Sequence, residues 1–171
     1  MTKWVLSDSK LAQDDPSKSS YFDHNRLIGL LKNYQCKNIM LLIDACFSGT
    51  IESQSTSLGE GVCLDKVQPD FQSDIYSSAP NNVYMKRHLS CLTVKYITSG
   101  GKEYVPDGSG NHSPFAAKLI EALDSKGGFD KDGILSFSEI RVMLQKVTPQ
   151  PRFGRFGEDN SSTEFLLIAT E

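Results

Sequence analysis

The chain has 171 residues, a formal net charge of −3, 39% apolar residues and 23% charged residues. That length suits a single domain around one core, with the composition of an ordinary globular protein. The small net charge gives no case for nucleic acid or an anionic membrane as partner, and no apolar run approaches the roughly 20 residues that cross a bilayer.

Met1 to Lys10 has no basic start followed by an apolar stretch, so no signal peptide is expected. The four cysteines, Cys36, Cys46, Cys63 and Cys91, form no C-x-x-C pair, and there are three histidines. A structural zinc site and a disulfide framework are therefore not expected, and reduced thiols in a cytoplasmic setting are.

Leu27, Ile28, Leu30, Leu31 and Tyr34 recur at helical spacing behind Asp23, a plausible N-cap. The continuous apolar run Ile39 to Ile43 then predicts a strand buried on both faces of a parallel sheet. It ends at Asp44-Ala45-Cys46-Phe47-Ser48-Gly49. From Thr50 to about Arg87 the composition turns polar and aperiodic, predicting a long loop or linker. A second strand is expected at Leu92 to Ile97, and His88 is placed at the start of the strand that follows the linker. Ser113 and Pro114 open a helix carrying Phe115, Leu119, Ile120 and Leu123, closed by Gly127 and Gly128. Ser136 and Glu139 form a capping box for another helix, and Phe165 to Ala169 predicts a last strand. Strands alternating with helices indicate an α/β sheet.

Chemistry in open α/β sheets collects at the carboxyl ends of strands. Cys46 follows such an end, among small residues that let a substrate backbone approach. An ionised thiol there can attack a carbonyl, although a lone cysteine is more often a small buried hydrophobe. Asp44 stands two residues before Cys46, on the same side of an extended chain, where its charge opposes thiolate formation unless it has another task.

The string Asp44 to Gly49 resembles the nucleophile motif of the caspase-like cysteine peptidases, a group including metacaspases and their bacterial relatives. In order along the chain, Tyr96 to Glu103, Asp107 to Phe115, Asp132-Gly133 with Phe137 to Ile140, Thr148 to Pro151 and Glu164 to Ile168 are similar to later segments of that family. The resemblance implies a three-layer α/β/α fold with a mostly parallel sheet, whose first strands would precede Met1. It divides the chain into the end of a large-subunit-like region (1–50), a linker (51–88) and a small-subunit-like region (89–171).

By the same resemblance Cys46 is the nucleophile of a cysteine endopeptidase, while Asp44, Ser99 and Glu103 line a pocket for a substrate arginine or lysine. The partner of such a domain is a protein or peptide substrate. Lys66, Lys86 and Arg87 in the linker are candidates for self-cleavage. The family's catalytic histidine, followed by glycine, lies about 50 residues before the cysteine, which places it before Met1. His24 reads instead as a helix-surface residue and His88 as structural, with His112 near the rim of the site. The isolated chain is thus expected to be inactive unless a complementary segment carries the histidine. The alternative is an inactive remnant that binds a protein partner.

No cofactor is expected. Gly128 to Glu139 resembles a calcium loop, with Asp130, Asp132, Gly133 and Glu139 at ligand-like positions. Glycine stands where its first aspartate belongs, and the capping box and an Asp-Gly turn account for the rest. A phosphatase loop is excluded because Glu52 stands where arginine would bind phosphate.

Overall fold

A computed structural model describes residues 3–34, 36–45, 82–101, 103–106, 110–124 and 131–169. They fall into two compact units, Met1–Cys36 and Lys37–Glu171.

In the first unit, β1 (Lys3–Trp4) pairs antiparallel with β2 (Phe22–Asp23), which runs into α1 (His24–Lys32). Asp23 caps α1 as expected, its carboxylate accepting from Asn25 N at 2.7 Å. Trp4 stacks on Phe22 and against His24, with ring centroids 3.9 Å apart in the second case. His24 is therefore buried rather than on the helix surface, and burial lowers its pKa against the opposing effect of Asp23. The connecting loop closes on Asp15, whose carboxylate accepts from the hydroxyls of Ser17, Ser19 and Ser20 and from Ser20 N. The Ser20 amide, more than any other donor, holds that carboxyl below the usual carboxylate range.

The second unit is mixed α/β. Its three-stranded sheet has the order β3-β4-β6, from β3 (Asn38–Ile43), β4 (Thr93–Thr98) and β6 (Arg152–Arg155). β3 and β4 are parallel, with Asn38 opposite Thr93 and Ile43 opposite Thr98, whereas β6 is antiparallel to β4, with Arg152 opposite Thr98. All six residues of β4 are buried, as befits a central strand. β3 is less enclosed than its apolar sequence predicts: Leu42 is exposed, and among the described residues β3 pairs only with β4. Tyr96 is fully buried across Gly154, where an added Cβ would lie 2.6 Å from ring atom Cε1.

α3 (Pro114–Leu123) and α4 (Phe137–Leu144) start at the expected residues. Ser113 Oγ accepts from Ala116 N, and Ser136 and Glu139 cap each other's backbone amides. These helices bury Phe115, Leu119, Ile140 and Leu144 against Ile97 and Leu135. Removing a buried leucine or isoleucine from such a cluster costs about 2–5 kcal/mol. A short antiparallel ribbon joins β5 (Ile134–Ser136) to β7 (Leu166–Ile168), the last strand expected from the sequence.

Two further expectations need correction. Residues 82–90 form a helix, α2 (Asn82–Ser90), that packs Met85 and Leu89 beside Ile134, Leu166 and Ile168. His88 thus lies on a helix rather than at a strand's start, and it is buried. Its Nδ1 accepts from Glu164 N at 2.8 Å. Secondly, Cys91 is disulfide-bonded rather than reduced, and its partner lies outside the described residues. Cys36 is exposed and takes part in no disulfide. Among the described residues no helix is long and apolar enough to cross a membrane.

At the start of β4, Lys95 Nζ meets Asp159 Oδ2 at 2.7 Å with both side chains buried. Asp159 also accepts from Val94 N, and Thr93 and Thr163 share a hydrogen bond between their hydroxyls. These contacts pin the 156–164 segment to the end of β4 opposite Ser99.

Candidate functional site

The carboxyl ends of β3 and β4 lie side by side because the two strands are parallel and in register. β6, running the other way, starts at this same end with Arg152. Three strands thereby bring Asp44, Ala45, Ser99 and Arg152 to one end of the sheet.

Ser99 is fully buried and ties two strand ends together. Its N–H donates to Ile43 O at 2.9 Å, and its Oγ accepts from Ala45 N at 3.2 Å. The residue before Cys46 is thus held by the end of β4. Cys46 itself lies outside the described residues, as do Lys66 and the linker from 50 to 81.

Asp44 is exposed, and its Oδ2 accepts from the Ser113 hydroxyl at 2.5 Å. Ser113 is the N-cap of α3, so one hydroxyl accepts the helix's Ala116 amide and donates to the strand-end carboxylate. His112, exposed, precedes Ser113 and is the described histidine carried on the segment that meets Asp44.

Glu103 is also exposed and folds back on its own loop, Oε2 accepting from Gly101 N at 2.6 Å. Gly101 makes that approach feasible, since a Cβ there would lie 2.8 Å from the same oxygen. Glu103 Oε1 lies 3.9 Å from Arg152 Nη2. This end of the sheet therefore presents two exposed carboxylates, a guanidinium beside one of them, and a backbone held by a buried serine.

Among the residues expected to form the site, Asp44, Ser99 and Glu103 occupy this end of the second unit. Lys86 and Arg87 are exposed on α2, a helical backbone that a peptidase would have to unwind before cutting. Sequence reasoning missed Arg152, whose proximity to Glu103 depends on the antiparallel entry of β6, and the link from Ser113 to Asp44, which spans 69 residues. The Ser-Pro helix start was a readable signal for the cap but not for its acceptor.

Within the suspected calcium loop, Asp132 accepts from Ile134 N and Glu139 from the Ser136 amide and hydroxyl, so both serve local turns and caps. Gly133 adopts φ +84°, the left-handed turn that glycine favours. Among the described residues no group of three or more His, Cys, Asp or Glu side chains is arranged to hold a metal ion; Gly128 and Asp130 lie outside them.

No family model, curated protein or solved structure matches the chain.

Proposed function

We propose that the second unit is part of a caspase-like cysteine endopeptidase domain, in which the Cys46 thiolate attacks the carbonyl after an arginine or lysine. The observation that carries this reading is the meeting of Asp44, Ala45, Ser99 and Glu103 at the carboxyl end of a parallel strand pair, one peptide before Cys46. Two exposed carboxylates at that end suit a cationic side chain and repel an anionic one.

In the reaction, the sulfur adds to the scissile carbonyl and the oxygen takes the negative charge, with the Cys46 amide as one donor to it. The C–N bond then breaks, the amine leaves with a proton from a histidine, and water hydrolyses the thioester to release the acid and regenerate the thiol. Ser99 serves by fixing Ala45.

By the family resemblance the proton carrier lies on a segment other than those described, with exposed His112 as the described alternative. His88 is buried with Nδ1 engaged by Glu164 N, and His24 is packed against Trp4. The same observation supports the alternative, an inactive caspase-like module that binds a protein partner.

Alkylation by peptidyl chloromethyl ketones tests the reading. An arginine-ended reagent should label Cys46 faster than an aspartate-ended one, with labelling lost in Cys46→Ala and slowed in Asp44→Asn. Equal labelling by both reagents removes the reading. The chain alone should turn over Arg or Lys peptides negligibly. Turnover lost in both Cys46→Ala and His112→Ala would instead make His112 the base.

A further inference from the structure

We propose that Arg152 is a specificity-determining residue of this site, an internal counter-ion for Glu103 that an incoming arginine or lysine side chain must displace. The proposal rests on the reading of Asp44 and Glu103 as a cation-binding pair. It adds a group already present beside that pair and of the same charge as the ligand.

The geometry leads to this in three steps. Arg152 opens β6 opposite Thr98, so the antiparallel strand delivers its guanidinium to the sheet end where β3 and β4 finish. Glu103 cannot swing freely, because Oε2 is bound to Gly101 N at 2.6 Å, and Oε1 faces Arg152 Nη2 at 3.9 Å. The Arg152 and Glu103 side chains are 45% and 52% exposed, so the ion pair is solvated and weak enough to open when a better-placed cation arrives. Arg152 thus lowers the net negative charge of the site and sets a threshold that only a cation also reaching Asp44 overcomes. A neutral or acidic side chain gains nothing from opening the pair.

Binding of 4-aminobenzamidine, an arylamidinium whose fluorescence rises on leaving water, tests this in the full 171-residue chain without requiring turnover. At low ionic strength Arg152→Gln should bind the probe about two- to five-fold more tightly than the natural chain, the range expected for losing one exposed charge neighbour. The gain should shrink in 0.5 M sodium chloride, where screening is strong. Arg152→Lys, which keeps the charge, should stay near the natural affinity. Adding Arg152→Gln to Glu103→Gln should give a smaller gain than in the natural chain, because only the direct repulsion between Arg152 and the probe is then relieved. Unchanged or weaker binding in Arg152→Gln, with Asp44→Asn and Glu103→Gln still weakening it, overturns the inference and leaves the cation-binding reading intact. Failure of every form to bind the probe removes that reading and the inference with it.

Discussion

Ser113 and Asp44, 69 residues apart in the chain, share a hydrogen bond of 2.5 Å that fastens the N-terminus of α3 to the end of β3. Because Ser113 Oγ also accepts from Ala116 N, one hydroxyl serves helix and strand. Ser113→Ala should lower stability by about 0.5–2 kcal/mol through loss of the cap, and should weaken arylamidinium binding by freeing the Asp44 carboxylate. Ser113→Thr, which keeps the hydroxyl, should restore most of both. Thermal unfolding and the fluorescence titration read the two effects separately. A stability loss with unaltered probe binding would separate the cap from the site.

Gly154 lies under the Tyr96 ring, where no Cβ fits. Gly154→Ala should therefore destabilise the second unit by about 1–3 kcal/mol, the usual cost of overpacking. Tyr96→Leu should relieve part of that cost in the double variant, although it is destabilising alone. Urea unfolding of the four forms gives the coupling directly. Additive effects would show that the ring and the glycine do not compete for this space.

Lys95 and Asp159 form a buried pair in which the aspartate also accepts a β4 amide. Asp159→Asn keeps an acceptor for Val94 N but leaves the ammonium without its counter-charge, and should cost about 3–5 kcal/mol. Lys95→Met combined with Asp159→Asn should recover much of the loss, because no unpaired charge is then buried. Chemical denaturation distinguishes this from simple loss of a contact, for which the double variant would be the worst form.

Burial lowers the His88 pKa from its ordinary 6.5, with Glu164 opposing the shift. The neutral ring is also the form whose Nδ1 accepts from Glu164 N. The folded state thus binds this proton less readily than the unfolded state. The stability associated with the neutral ring is complete above pH 6.5 and is lost as pH falls below 6.5 towards the lowered folded value. His88→Asn, which offers an acceptor near Nδ1 but does not titrate, should flatten the decline in stability below pH 6.5. The comparison must be with the natural chain, because His24 is shifted in the same direction for the same reason. Parallel stability curves for the two proteins would rule out a contribution from His88.

Local signals were legible in the sequence wherever one short segment decides the outcome. Asp23, Ser113 and the Ser136–Glu139 box start three helices because each cap needs only a side chain and an amide two or three residues on. The apolar run behind Asp44 reads as a strand for a similar reason. What the sequence conceals is pairing. The Arg152 to Arg155 segment contains a glycine and two arginines and has no apolar alternation, so it reads as a strand only when laid beside Lys95 to Thr98. α2 was hidden by its polar neighbours, although Met85 and Leu89 recur at helical spacing. Of the candidate site, Asp44, Ser99 and Glu103 could be named from motif order. Arg152 could not, because its place beside Glu103 follows from strand direction.

The two strands that meet at the candidate site differ in their support. β4 is enclosed along its whole length and bonded on both sides, so Ser99 extends from a stiff beam. β3 has one described neighbour and a partly open face, and Asp44 ends it with a cross-brace to α3. A ligand entering there would meet one unyielding wall and one that can give, and the brace at Ser113 sets how far the second wall moves.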